Sequence, residues 1–501
     1  MPGSRLHLYL FAAFVLVVAV ASYFLNGPQF SVSYSSDQAV HVLMANDFRW
    51  PQDLYYWRQN RLGSIVPMVG YALHSIGLST VTATGLAKYA FLLLGLLAGS
   101  SFLRSWWLRG VLALAWFYHL PNFHNWTALG HPYAECTALA LSGFALTQHF
   151  FARKAWYSAA GAALCWMLAL WVSELTIALL PALLLQLGWH WKAEASKQSQ
   201  SLMAHLLSRL QTKVAVWVLL AIVAGGWLVL HAKAHARSID AYSALFASPA
   251  QIAEMLERLA GDGWEVLAFQ RNNALLSITA WLMMAHVVAL PKLFQWINTP
   301  KQPAPWIWLL AAGALFGAVV VASWSNAFGP GLHYYTAVFP FAWLAGLCWI
   351  EQLETKQLQR VFAISTSTTA LVMVVAGYVH QGQYWSDESP YAMATEVQQL
   401  GKTNIVANYW DAYVLASAAP DSITATARQG HTVRREAQAF ELVRQPEVYL
   451  VRDLWMDSYP DSVRQFGALL VKDGEEFELA NCNFCRYRYV PGADEEWVFY
   501  D

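Results

Sequence analysis

Charge is scarce in this chain: only 13% of its 501 residues are Asp, Glu, Lys or Arg, against the ~25% usual in soluble domains. That shortage excludes an ordinary water-soluble globular protein. No long block of like charge is present and the formal net charge is -1, so nothing suggests a basic or acidic interaction tail, or nucleic acid as a partner. P-loop, GxSxG and dinucleotide fingerprints are missing at plausible strand–helix turns, which removes support for nucleotide-driven chemistry. There is no HExxH, no second CxxC to make a zinc ribbon, and no internal repeat of fixed period.

What is abundant is apolar surface, with hydrophobic residues at 57% and 25 tryptophans. Runs long enough to approach the ~20 residues needed to cross a bilayer lie near 6–26, 84–103, 110–124, 132–151, 155–172, 175–191, 214–231, 274–291, 306–323, 336–350 and 361–379. The stretch 62–79 decides the topology. If it lies in the interface rather than spanning, then Arg5, Arg104, Arg109, Arg153, Lys154, Lys192, Lys197, Arg209, Lys213, Lys292, Lys301, Lys356 and Arg360 all fall on one side. Cationic loops stay cytoplasmic. The sequence therefore predicts an α-helical polytopic membrane protein of about 11 spans, with residues 1–379 as the membrane domain. The first run exceeds the ~7–15-residue core of a signal peptide and is read as a retained anchor.

Beyond residue 379 hydropathy falls and short β-rich runs alternate with helical ones, predicting a small extracytoplasmic α/β domain over 380–501. Strands are expected at Asn404–Ala407, Ser422–Ala425, Glu447–Val451, Gly467–Val471, Phe477–Leu479 and Tyr487–Val490. Cys482 and Cys485 form a CxxC there, for which a local disulfide is expected in an oxidising compartment. In the loop 232–273, Ser248, Pro249 and Gln251 spell a helix start and Gly261 a stop. Ile252, Met255, Leu256 and Leu259 give that helix an apolar face, suited to the bilayer surface or to packing on a neighbour.

Ionisable groups inside a membrane are costly and mark sites or wet cavities, and here they gather towards the outward ends of the spans. Asp37 follows the first span closely, Lys88 lies in the outer end of the second, Glu135 begins the fourth and Glu174 ends the fifth. Asp37 is either the N-cap of a helix starting near Gln38 or an acid poised between lipid and water. Arg58 and Arg61 lie beside Tyr55, Tyr56 and Trp57, a mixture that fits phosphate recognition and equally an interfacial aromatic belt. His333 and Tyr334 belong to a further outward loop after Gly329-Pro330-Gly331. His119, His124 and His131 with Glu135 raise a metal question, but Pro121 and Gly130 interrupt the spacing and cavity lining is the preferred reading. His286 is read as a core histidine.

The order of these features resembles the polytopic GT-C glycosyltransferases, especially the dolichyl- or polyprenyl-phosphate-sugar-dependent group that includes protein mannosyltransferases and lipid A aminoarabinose transferases. Asp37 stands where that family keeps a catalytic acid in its first extracytoplasmic loop. Tyr55-Tyr56-Trp57 followed by 62–79 looks like its aromatic stretch before interfacial helices, and Glu135 like its acid at the start of a later span. The family's late Arg-Tyr before a Pro-containing span is His333-Tyr334-Tyr335 with Pro340 here, a departure that weakens any phosphate role for His333.

The resemblance implies a polyprenyl-phosphate-linked sugar as donor and a glycan, lipid or protein as acceptor on the extracytoplasmic face. Asp37 would be the general base with Glu135 in support, and Arg58, Arg61 and Lys88 would hold the departing phosphate. Tyr55, Tyr56, His131, Glu174, His333 and Tyr334 would line the substrate cavity. No metal ligand is assigned, and a divalent metal stays only as an alternative, because one Asp stands where some members carry a longer acidic motif. The implied location is a bacterial inner membrane with the C-terminal domain in the periplasm. The competing class is a lipid-carrier transporter or a non-catalytic assembly partner that keeps the same shell, although transporters place polar groups nearer the midplane.

Overall fold

A computed structural model describes residues 3–119, 125–198, 213–236, 246–270, 274–284, 304–322, 332–382, 389–453 and 455–499. Its first part is helical: α1 (Gly3–Asn26), α2 (Ser36–Asn46), α3 (Ile65–His74), α4 (Thr80–Ser100), α5 (Trp106–Phe117), α6 (Tyr133–Arg153) and α7 (Trp156–Val172). After a 3-10 turn at Glu174–Leu179 come α8 (Leu180–Gln198), α9 (Lys213–His235), α10 (Pro249–Leu267), α11 (Ala274–Met284), α12 (Ala304–Val321), α13 (Val338–Gln352) and α14 (Lys356–Gly382). Among the described residues, α1, α4, α9, α12 and α14 are long and apolar enough to cross a membrane. Shorter apolar helices are α3, α5, α7 and α11.

The molecule is thus a polytopic membrane protein. Its apolar side chains are exposed where lipid would cover them, as at Leu184, Val223 and Leu230. Helix α3 occupies the doubtful stretch 62–79 with ten residues, which at ~1.5 Å per residue reaches only about half of a hydrocarbon core. That length suits the interface. Helix α10 carries the expected capping box, Ser248 N donating to Gln251 Oε1 at 2.8 Å and Gln251 N to Ser248 Oγ at 3.3 Å. It does not stop at Gly261 but runs on to Leu267, since a glycine without capping geometry costs a helix only ~1 kcal/mol. His124, Arg209, His286, Lys292, Lys301 and Gly329–Gly331 lie outside the described residues, as does the His333 side chain.

The C-terminal part folds as one six-stranded sheet in the order β2-β1-β3-β6-β5-β4. Its strands are β1 (Thr403–Ala407), β2 (Ile423–Ala427), β3 (Glu447–Arg452), β4 (Ser462–Gln465), β5 (Ala468–Leu479) and β6 (Cys482–Tyr489). The first three are mutually parallel, joined through α16 (Tyr409–Ala418) and α17 (Glu436–Leu442), while α15 (Pro390–Ala394) precedes them. The rest is antiparallel. Two runs expected as separate strands are one long strand, β5, and β4 was not anticipated.

The expected Cys482–Cys485 disulfide is not formed, and both thiols are free. The reason is the strand itself: both residues lie within β6, where a rise of ~3.3 Å per residue puts positions three apart near 10 Å and on opposite faces. A disulfide needs Cα atoms within about 7 Å.

Chain reversal between β1–β2 and β2–β3 places a topological switch at the carboxyl edge of the parallel strands, where open α/β sheets bind ligands. That edge faces α2. Ser36 Oγ donates to the Trp410 carbonyl at 2.9 Å and Tyr34 Oη to Ser417 Oγ at 2.9 Å, so the first loop and α16 are fastened together beside Asp37.

Candidate active site

Asp37 lies in the first turn of α2, whose N-cap is Ser35. It is therefore not the cap, and its carboxylate is left for other partners. Its Oδ1 receives three donors: the Tyr409 hydroxyl, the Tyr56 hydroxyl at 3.3 Å and Arg434 Nη2 at 3.3 Å. None of the side-chain hydrogen bonds among the described residues reaches Oδ2, and the carboxylate keeps 28% of its exposure. One oxygen is thus held, and the other has no side-chain donor among the described residues.

Arg434 is the centre of this cluster. Its guanidinium lies over the Tyr56 ring at 4.7 Å and the Tyr409 ring at 5.1 Å. It donates to the Tyr409 hydroxyl from Nη2 at 2.6 Å and Nε at 3.1 Å. Burial raises the Asp37 pKa, but Arg434, His131 and the hydroxyls of Tyr409 and Tyr56 outweigh it, and the carboxyl is held below its usual range. Asp37 is ionised at neutral pH. Burial and the Asp37 charge push the Tyr409 hydroxyl up, so it stays a donor.

Gly130 explains how the opposite wall comes so close. It adopts φ +93°, and a Cβ there would lie 3.0 Å from the Asp37 carbonyl carbon and oxygen. Only glycine meets both demands. Next to it, His131 stacks on Tyr133 at 5.7 Å, and both Arg61 and Tyr334 are near enough to influence Tyr133. The His131 carbonyl accepts from Lys88 Nζ at 3.2 Å. Lys88 pairs with Glu135 at 2.9 Å, the two side chains being 1% and 3% exposed. Lys88, Glu135, His131 and Asp37 thus form one continuous polar ribbon from α4 and α6 to α2.

The other expected site residues sit around this ribbon. The Leu62–Gly63 turn is pinned to the end of α7, Gly63 N donating to the Val172 carbonyl at 3.1 Å with Trp171 too close to admit a Cβ. This fixes Tyr55 and Tyr56, both buried. Arg58 does not reach the ribbon; it pairs with Glu436 at 2.6 Å and donates to the Val433 carbonyl at 3.4 Å. Glu174 is paired with Lys233 and lies near Tyr55.

His41, one turn after Asp37, is buried with its Nδ1 lacking a hydrogen-bond partner and its ring 5.2 Å from Tyr56. Burial lowers its pKa to about 3, with Lys88 contributing. No group of three or more His, Cys, Asp or Glu able to hold a metal occurs among the described residues.

A cavity of about 1540 Å³ opens between the first loop and the C-terminal sheet, lined by Arg49, Tyr56, Trp57, Arg434, Arg435 and Lys402 among others. Tyr56 and Arg434 belong both to its wall and to the Asp37 cluster. Arg435 faces this space with its guanidinium over Trp57 at 5.0 Å.

Sequence reasoning missed Tyr409, Arg434 and His41. Tyr409 and Arg434 lie 372 and 397 residues from Asp37, and no local pattern marks them. The nearest signal was the Arg434-Arg435 pair in a domain read as water-exposed.

The fold built from these parts is that of the GT-C glycosyltransferases. The chain is similar to ArnT from Cupriavidus metallidurans, solved bound to undecaprenyl phosphate, with a TM-score of 0.60 at 12% identity, covering 98% of this chain and 99% of that one. It is equally similar to the apo state of the same ArnT, at TM-score 0.60 and 12% identity over 97% and 98% of the two chains. An oligosaccharyltransferase from Archaeoglobus fulgidus aligns over 83% of this chain and 64% of its own, at 9% identity and TM-score 0.37. No protein-family model and no curated protein matches the sequence.

Proposed function

We propose that this protein transfers a sugar from a polyprenyl-phosphate donor to an acceptor at the extracytoplasmic face, with Asp37 as general base. The observation that carries the reading is the Asp37 carboxylate, ionised, held by three donors on Oδ1 and left without a side-chain donor on Oδ2 among the described residues. The fold of ArnT, a protein that holds undecaprenyl phosphate, supports the donor class.

In the reaction the acceptor oxygen or nitrogen forms a bond to C1 of the sugar while the C1–O bond to phosphate breaks. The electron pair leaves on the phosphate oxygen, and the acceptor proton passes to Asp37 Oδ2. A carboxylate with a depressed pKa is a weak base, yet it suffices here. The acceptor proton becomes strongly acidic only as its bond to C1 forms, so transfer is late and needs little basicity. Attack opposite the phosphate inverts the anomeric centre.

Lys88 and Arg61 supply cations for the departing phosphate, and Arg58 joins them if it exchanges Glu436 for the phosphate. Tyr55, Tyr56, His131, Glu174, His333 and Tyr334 form the surrounding substrate wall, with Glu135 holding Lys88 in place. The acceptor enters through the cavity at the sheet edge. The C-terminal sheet then stands in the periplasm of a bacterial inner-membrane protein.

The test uses purified full-length protein in liposomes with undecaprenyl phosphate carrying a radiolabelled hexose, pentose or aminopentose, and envelope extract as acceptor. Asp37→Asn keeps the shape and removes the base. Turnover should fall by about 10²–10⁴. Wild-type turnover by the variant would end the proposal.

A further inference from the structure

Judged by position alone, an outward domain would serve to choose the acceptor. The geometry points to a more direct part. Resting on the reading of Asp37 as base, we propose that Arg434 is a positioning residue of the transfer centre, acting with Tyr409 to lock Asp37 Oδ1 so that Oδ2 alone meets the acceptor. The C-terminal sheet then completes the catalytic centre.

Four independent features support this. Arg434 is only 10% exposed, although it belongs to a loop following β2 rather than to a core element. Its guanidinium lies 4.7 Å from the ring centroid of Tyr56 in the first loop and 5.1 Å from that of Tyr409 in α16, so it is held by residues of both sides of the interface. Its Nη2 donates to both Asp37 Oδ1 and the Tyr409 hydroxyl while its Nε donates to the same hydroxyl, a planar two-nitrogen grip that distinguishes arginine from lysine. Its own backbone is tied down, Arg434 N donating to the Tyr413 hydroxyl at 2.7 Å. A cation immobilised this thoroughly cannot follow a ligand; it can only orient its partner.

The groups facing Asp37 come from every neighbouring element: Arg434 and Tyr409 from the C-terminal part, Tyr56 from the first loop and His131 from the segment before α6. His41 lies on its own helix and is kept neutral by burial. Among the described groups of that ring, Arg434 carries the permanent positive charge. Its removal should therefore let the Asp37 carboxyl titrate higher, and the acid limb of the rate profile should move up in pH.

The experiment compares pH–kcat/KM profiles of wild type, Arg434→Ala, Arg434→Lys and Tyr409→Phe in liposomes, beside Asp37→Asn. Undecaprenyl phosphate binding, read by tryptophan fluorescence, checks that each variant is folded and holds the lipid. Arg434→Ala should shift the acid limb up by about 1–3 pH units, the usual effect of a paired Arg on an Asp, with lipid binding unchanged. Arg434→Lys should fall between it and wild type, and Tyr409→Phe should shift the limb in the same direction by less. An Arg434→Ala profile identical to wild type, with Asp37→Asn inactive, would overturn this proposal alone. Should Arg434→Ala not fold, wild-type limbs in both Arg434→Lys and Tyr409→Phe would overturn it equally. Full activity in Asp37→Asn would remove both proposals.

Discussion

Cutting the Lys88–Glu135 pair from one side is a sharp test of how this molecule is held together. Lys88 Nζ lies 2.9 Å and 3.1 Å from the two Glu135 oxygens, and both side chains are buried. At that distance an effective dielectric of about 20 gives an attraction near 5–6 kcal/mol. Desolvation of the two ions offsets much of it, at several kcal/mol each. The intact pair therefore adds little net stability. Lys88→Met, however, strands a carboxylate and loses the bond to the His131 carbonyl, so it should cost about 3–5 kcal/mol. Glu135→Gln keeps one hydrogen-bond acceptor and should cost less, about 1–3 kcal/mol.

The double variant separates pairing from packing. Lys88→Met with Glu135→Gln removes both charges and should be less destabilised than the sum of the singles by about 1–3 kcal/mol. Unfolding would be followed by circular dichroism in mixed micelles with increasing SDS. Single variants that each cost under about 1 kcal/mol, adding without interaction, would refute the account. Donor binding gives a second axis: Lys88→Met should weaken undecaprenyl phosphate binding, while Glu135→Gln should not.

Two further expectations concern the walls around Asp37. The folded pKa of His41, about 3, is depressed below its ordinary value, so its contribution to stability is fully present above about pH 6.5 and is lost as pH falls towards 3. Wild type should lose up to about 1.4 kcal/mol per pH unit below 6.5, a slope that His41→Phe should reduce; equal slopes in a denaturant series at pH 6 and pH 5 would contradict this. Gly130→Ala forces a side chain into a positive-φ position against the Asp37 backbone, which should destabilise by about 1–3 kcal/mol and lower turnover at matched folded protein. Unchanged melting and unchanged turnover together would show that the wall is not as tight as described.

The helical part was legible because its signals are local. Apolar runs, terminal arginines and the Ser248 capping box each fall within a window the chain declares by itself, and the brevity of α3 follows from the same patterning. Asp37 and Lys88 could be singled out because an ionisable group at the end of an apolar run is conspicuous. Their partners could not be: Arg434 and Tyr409 are ordinary surface-type residues in a domain read as water-exposed, brought to Asp37 by sheet topology and by the α2–α16 contact. The Cys482–Cys485 reading failed for a related reason. A CxxC suggests a turn, but Cys485 and Tyr487 lie two apart on one fully buried face of β6, and pairing with β3 and β5 on both sides keeps the segment extended.

The polar ribbon has a direction, and that direction bears on the proposed chemistry. At its inner end Lys88 is enclosed by α4 and α6, where a lipid phosphate would arrive along the bilayer. At its outer end Asp37 meets Arg434, which also lines the cavity at the sheet edge. Between the two ends lies the Gly130–His131 backbone, which accepts from Lys88 at His131 and packs on the Asp37 backbone at Gly130. If the C-terminal sheet withdrew, Asp37 would lose two of its three donors at once. Its carboxylate would then be free to rotate and Oδ2 would no longer be aimed. Docking of the sheet is therefore expected to govern catalysis even for an acceptor that never touches it.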